Sequence, residues 1–224
     1  MTYPNIHPAL FLARPNRFIA EIELNGRKEI CHVKNTGRCR ELLLPGTKIY
    51  VQQFEGGTRK TRFDLIAVHK GDRLINMDSQ APNRVFREWC PSFFPALTTV
   101  RPECRYGQSR LDFYLEAGER KIFAEVKGVT LEENGVALFP DAPTERGIRH
   151  LEELCSCAAE GYEAYAVFII QMKDVRYFTP NIKTHAAFGE ALARAAQKGV
   201  QVLALDCRVT PDSLSVRQQV PVYL

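Results

Sequence analysis

Apolar and polar residues alternate with a period of two through much of the first 80 residues. Phe18-Ile19-Ala20-Glu21-Ile22-Glu23-Leu24 reads as a half-buried strand ending at Asn25-Gly26, a hairpin turn signal, and Glu29-Ile30-Cys31-His32-Val33 returns from it. After Asn35-Thr36-Gly37-Arg38-Cys39-Arg40-Glu41-Leu42-Leu43-Leu44, closed by Pro45-Gly46, Lys48–Val51 and Phe63–Val68 are further strands. Short strands so closely spaced predict a small barrel or sandwich, and the basic surplus described below favours an OB-type barrel for residues 1–80. Ala81-Pro82-Asn83-Arg84 reads as a connection, followed by a short helix over Val85–Cys90 that Pro91 stops. The rest changes rhythm. Strands are predicted over 98–101, 110–116 and 121–128, a helix over Thr144–Glu160, and strands at Ala164–Ile170 and Arg176–Phe178. A second helix over His185–Lys198 ends at Gly199, and a strand over Val200–Leu205 follows. Residues 81–224 are therefore an α/β domain with a mixed sheet flanked by helices. No low-complexity linker separates the two parts, so they are expected to pack together.

One hairpin carries the candidate chemistry. Gly118-Glu119 reads as a two-residue turn of the Gly-X kind, which fixes the register of the strands on either side. Leu111 then faces Val126, Phe113 faces Ala124 and Leu115 faces Ile122, a wholly apolar face. The other face pairs Glu116 with Lys121, Tyr114 with Phe123, Asp112 with Glu125 and Arg110 with Lys127. A slip of one residue would bury the charges and expose the apolar set, so the register is strongly specified. Asp112 and Glu125 become cross-strand neighbours with Cβ atoms about 4.5–5.5 Å apart. Two carboxylates so placed repel unless a cation lies between them or they share a proton. Lys127, two residues from Glu125, projects to the same face. Mg²⁺ or Mn²⁺ held by Asp112 and Glu125, with Lys127 beside it, supplies the parts for hydrolysing a phosphodiester. Further along, Asp141 or Thr144 can cap the helix that follows, and Arg146 and His150, four apart, share one of its faces and could meet a phosphate. Thr130 and Glu88 are additional candidates, Glu88 as a further carboxylate. Each of these groups also has an ordinary structural reading, a solvated ion pair or a polar helix face.

Composition narrows the setting. The chain has 224 residues, 45% of them hydrophobic and 25% charged, enough for a substantial core and too polar for a membrane protein. No basic stretch leads into an apolar run at the N-terminus, and the seven cysteines are scattered, which predicts a cytoplasmic protein with reduced thiols. Cys155-Ser156-Cys157 lies in a helical stretch and reads as two small helix residues. The net charge of +4 is uneven: residues 1–62 carry eleven Lys/Arg against five Asp/Glu. Such a basic part suits a polyanion, with Arg17, Lys34, Arg38, Arg40 and Arg110 as candidate DNA contacts.

Asn35-Thr36-Gly37-Arg38, Tyr106-Gly107-Gln108-Ser109-Arg110-Leu111-Asp112-Phe113, Glu125-Val126-Lys127-Gly128-Val129-Thr130-Leu131, Phe139-Pro140-Asp141-Ala142-Pro143-Thr144-Glu145-Arg146-Gly147 and the closing Pro221-Val222-Tyr223-Leu224 together resemble the sugar fermentation stimulation protein family. The resemblance spans nearly the whole chain. It implies a DNA-binding protein with an N-terminal OB-like domain and a C-terminal domain of the PD-(D/E)xK nuclease type, and a regulatory link to sugar (maltose) metabolism. The nuclease motif falls on Asp112, Glu125 and Lys127; Leu111 stands where the general motif has proline, a structural position. Three functions follow as expectations. The first is a Mg²⁺- or Mn²⁺-dependent deoxyribonuclease of little sequence specificity. The second is a non-catalytic DNA-binding regulator, and the third an RNA-binding or RNA-processing factor. No helix-turn-helix signature supports sequence-specific repression. A homo-oligomer is compatible with the sequence.

Overall fold

The alternating N-terminal segments fold into a closed barrel. A computed structural model describes residues 1–56 and 59–224. Its first strands are β1 (Ile6–Asn16), β2 (Ile19–Leu24), β3 (Arg27–His32), β4 (Lys48–Gln53), β5 (Phe63–Lys70) and β6 (Arg73–Asn76). They run in the order β3-β2-β1-β4-β5-β6, and a parallel pairing of β3 with β5 closes the cylinder. Inward positions one residue apart from polar ones fill it: Phe11, Ala20, Ile22, Ile49, Val51 and Leu65 are all buried. This is the small barrel that the alternation predicts, of the OB type that the basic surplus favours. The 35–44 segment forms no strand and lies across the barrel as turns and irregular chain, with Cys39, Leu42 and Leu43 buried beneath it.

The second part begins with α1 (Ala81–Phe93), longer than the helix the sequence suggests. Ala81-Pro82-Asn83-Arg84 is its first turn, where proline's missing N–H costs nothing. Pro91 does not stop it, because it sits in the last turn and the carbonyl it leaves free, that of Arg87, accepts the Cys90 thiol at 3.6 Å. The chain continues through β7 (Leu97–Tyr106), β8 (Ser109–Ala117), β9 (Arg120–Val129), β10 (Leu131–Glu133), β11 (Val136–Phe139), α2 (Glu145–Ala159), β12 (Glu163–Ile170), β13 (Tyr177–Pro180), α3 (Ile182–Gln197), β14 (Gln201–Thr210) and β15 (Ser213–Gln219). The main sheet has the order β15-β14-β12-β9-β8-β7. β7, β8 and β9 form an antiparallel meander, and β9, β12 and β14 run parallel. That mixed sheet is flanked as expected, with α1 on one face and α2 and α3 together on the other. β1, β6, β10, β11 and β15 are strands that the alternation does not predict; β10, β11 and β13 make a small second sheet. Thr144 is the α2 cap, its hydroxyl accepting from the Gly147 amide at 3.0 Å, so the Asp141 alternative falls away. Among the described residues no helix is long and apolar enough to cross a membrane. All seven cysteines are free; Cys157 is buried in α2, its thiol pushed up to about 12 chiefly by burial.

The two parts share one continuous core, in which barrel residues such as Phe11 and Val51 belong with Phe168 and Phe178 of the second part. Polar groups seal the seam. Gln171 donates to Asn76 and to the Asp78 carbonyl. Glu132 on β10, 7% exposed, is held by Lys70 of β5 and by Arg73 of β6 at 2.9 Å. Burial alone would push the Glu132 carboxyl up, but Lys70, the Gly135 amide and Arg73 outweigh it and hold it below the usual carboxylate range. A lowered folded value means the clamp stabilises fully above the unfolded value of ~4.3 and is lost as pH falls through the folded one. Glu132→Gln is therefore expected to destabilise the protein at pH 7 by about 2 kcal/mol, leaving two cations underpaired. Denaturant melts should show the gap to wild type narrowing below pH 4; a gap that stays constant there would contradict the clamp.

Candidate functional site

Asp112 and Glu125 meet where two strands part. β8 and β9 pair from Ala117↔Arg120 inward to Phe113↔Ala124 in the register that the Gly118-Glu119 turn predicts, with Gly118 at φ 62°. The ladder stops there. β9 continues against β12 through Val129, so Glu125 and Lys127 stay anchored on the sheet's central strand while β8 veers off. The carboxylates take over the lost backbone bonds. The Val126 amide donates to Asp112 Oδ2 at 2.8 Å, and the Asp112 amide donates to Glu125 Oε2 at 3.3 Å. Neither of these two amides is orphaned by the parting.

Both flanking helices reach this point. Asn83, in the first turn of α1, donates to Asp112 Oδ1 at 2.9 Å. It can come so close because β9 has a glycine beneath it: a Cβ at Gly128 would lie 2.7 Å from the Pro82 ring and 2.5 Å from Gln171 Oε1. From the opposite face, α2 lays His150 over the sheet. Its Nδ1 meets Glu125 Oε1, and its Nε2 faces Arg146 Nε at 3.3 Å. The two contacts assign the ring's roles: Nδ1 donates to the carboxylate, and Nε2 accepts from the guanidinium. Lys127 Nζ pairs with the same Glu125 oxygen.

This geometry splits the two acids. Burial pushes the Asp112 carboxyl above its ordinary value, and the Glu125 charge adds to that; Val126, Asn83 and Lys127 offset only part. Burial works the same way on Glu125, which is 3% exposed, yet His150 and Lys127 outweigh it and leave its carboxyl below the usual range. Near neutrality a cation is the natural partner for this pair. Among the described residues no three His, Cys, Asp or Glu side chains gather into a complete cage. Two carboxylates suit a hard cation that keeps several of its waters, and each can accept more bonds than the protein donors use.

Of the other residues singled out from the sequence, Arg146 and His150 join the site, though on Glu125 and on each other. Glu88 does not: its carboxylate pairs with the Met1 amino group at 2.5 Å. Thr130 is buried beside Cys39, away from the carboxylates. Lys34 is not free to meet a phosphate, because its ammonium, 15% exposed, is shared between Asp78 at 3.0 Å and Asp64 at 3.4 Å. Arg17, Arg38 and Arg40 are exposed, as is Arg110, which pairs with Glu103. Sequence reasoning misses Asn83, which it places in a connection; the Pro82 that opens a helix is the available signal.

An OB barrel packed on a mixed-sheet domain, with a carboxylate pair and a lysine on adjoining strands, defines the class of this protein. Residues 12–77 match the model described as SfsA N-terminal OB domain, and residues 80–213 match that described as Sugar fermentation stimulation protein RE domain. A sugar fermentation stimulation protein homolog from Desulfitobacterium hafniense is 63% identical over 225 residues, covering 100% of this chain and 99% of that protein. Another, from Ruminiclostridium cellulolyticum, is 57% identical over 226 residues and 100% of both chains. The solved structure of Pyrococcus furiosus SfsA in complex with Ca²⁺ matches with a TM-score of 0.89 at 30% identity, over 100% of this chain and 98% of that one. The chain belongs to the sugar fermentation stimulation protein family.

The split between the acids has a measurable consequence. A raised folded value for Asp112 means the unfolded chain ionises it more readily, so stability falls as pH rises from the unfolded value through the folded one. The melting temperature of chelator-treated Asp112→Asn, taken relative to wild type, is expected to rise as pH rises from ~4 to 7. A difference that stays constant or falls over that range would count against this picture.

Proposed function

We propose that this protein is a divalent-metal-dependent nuclease acting on DNA with little sequence preference. The observation that carries the reading is the meeting of Asp112, Glu125 and Lys127 at the opened end of the β8–β9 ladder, under α2. Asp112 and Glu125 would hold the cation, Mg²⁺ or Mn²⁺; the Pyrococcus furiosus relative, solved in complex with Ca²⁺, supports a divalent site in this family. When bound, such an ion polarises a phosphoryl oxygen and acidifies the attacking water. Lys127, on the same strand as Glu125 and paired with it, would orient the nucleophile and offset charge developing on the phosphate once Glu125 is shared with the cation. His150 fixes Glu125 from the α2 side, and Arg146 adds positive charge at the rim. Exposed Arg17, Arg38, Arg40 and Arg110 supply phosphate contacts that carry no sequence information.

A second reading, DNA binding without cleavage in a regulator linked to sugar use, draws on one observation. Every oxygen of Asp112 and Glu125 already accepts a protein donor, and Glu125 is closed over by Lys127 and His150. One assay separates the two. Purified protein is incubated with single-stranded, double-stranded and branched DNA plus Mn²⁺ or Mg²⁺. The nuclease reading expects cleavage that falls at least about a hundredfold in Lys127→Ala and disappears in Asp112→Asn and Glu125→Gln. Retained binding with no cleavage of any substrate would favour the regulator, and equal cleavage by Asp112→Asn would take the nuclease reading away from this site.

A further inference from the structure

Arg14 on β1 does an unusual amount of backbone work. Its Nη1 donates to the carbonyls of Gly37 at 2.9 Å and Arg38 at 3.0 Å, and its Nη2 to those of Arg17 and Asn35, both at 2.7 Å. These carbonyls belong to two separate loops: the turn between β1 and β2, and the segment after β3. The Val33 amide adds a tie to the Phe18 carbonyl at 2.7 Å. One rigid, five-donor guanidinium thus fixes both loops as a single surface, which the point charge of a lysine would not.

That surface exposes groups the barrel does not need. Phe18 is 44% exposed, and the Arg17 guanidinium lies 4.7 Å from its ring centroid. Arg38, exposed, sits on the other clamped loop. A single exposed phenylalanine is commonplace. What distinguishes this one is its neighbours and its connection to the carboxylates. Gly37 approaches Asp141 so closely that a Cβ there would lie 2.1 Å from Oδ2. Asp141 leads directly into α2, whose first two turns carry Arg146 and His150 to Glu125. The aromatic ring is thus linked, through Arg17 and the Arg14 clamp, to the 35–38 loop beside Asp141, from which the backbone runs on into α2 and so to Glu125.

We propose that the Arg17–Phe18 turn and the clamped 35–38 loop form a platform for single-stranded DNA, which guides a strand toward Asp112 and Glu125. A base stacks on the Phe18 ring, Arg17 and Arg38 meet the flanking phosphates, and Arg14 holds the two loops in register. Stacking tolerates any base, because every base has a π face. The preferred substrate is then DNA with a single-stranded segment. This inference rests on reading the carboxylate pair as a nuclease site, but its test does not depend on cleavage.

The test uses the full chain, with fluorescence anisotropy of a labelled oligothymidine and of a labelled duplex. Phe18→Ala is expected to weaken oligothymidine binding about tenfold, the loss of one stacked base, while changing duplex binding less than about twofold. Phe18→Trp should retain affinity, and its emission should be quenched by oligothymidine beyond the background of wild type, whose one tryptophan is Trp89. Failure of wild type to bind oligothymidine, an unchanged Phe18→Ala, an equal loss for both DNA forms, or no added quenching would each overturn the platform. If Phe18→Ala loses single-strand binding while no DNA is ever cleaved, the platform stands and the nuclease reading falls. If wild type cleaves DNA and Phe18→Ala binds oligothymidine unchanged, the nuclease reading stands and the platform falls.

Discussion

Burying an ionised carboxylate in the middle of a sheet costs several kcal/mol unless donors and cations surround it. Glu125, 3% exposed on the central strand β9, is such a group, and the second domain is arranged around satisfying it. α2 brings His150 from one side, Lys127 comes from the same strand, and the Asp112 amide arrives from β8. The Asp112 amide could not reach it if β8 and β9 stayed paired to their ends. The parting of the strands after Phe113↔Ala124 is therefore tied to the carboxylates, which satisfy the amides that the parting leaves unpaired.

The same point is where the molecule's larger parts converge. α1 lies on one face of the sheet and α2 on the other, yet the N-terminal ends of both reach the carboxylate pair, α1 through Asn83 in its first turn and α2 through Arg146 and His150 in its first two. Gly128 permits the close approach of α1. The barrel is held to this assembly by a shared apolar core and by buried polar ties, among them Gln171 to Asn76 and Lys70 to Glu132.

Much of this is legible in the sequence, and the reasons differ from place to place. The β8–β9 register can be read because a glycine-led turn and a clean apolar face agree on one alignment, and a shift of one residue would bury charges. The barrel can be read as an OB type from alternation, turn residues and basic charge. The end of the ladder at Phe113 cannot, since it depends on side chains replacing backbone partners in space. α1 reads too short because Pro91 looks like a stop, and only the folded chain shows it sitting in the last turn with the Arg87 carbonyl satisfied by a thiol. β15 and the small β10-β11-β13 sheet are short or partly exposed strands whose pairing is decided by their neighbours. Lys34 and Glu88 illustrate a different loss: charge in a sequence says nothing about which opposite charge the fold will bring to it, and both are taken by partners far along the chain.

Whether the Asp112–Glu125 pair takes up a divalent cation decides between a working metal site and a purely structural one. The most direct measurement is an anomalous difference map from crystals soaked in Mn²⁺, for wild type and for Asp112→Asn. A metal site predicts a single strong peak between the Asp112 and Glu125 carboxylates in wild type, with Lys127 drawn away from Glu125, and its loss in the variant. No peak at that position, or one that persists unchanged in Asp112→Asn, would contradict it.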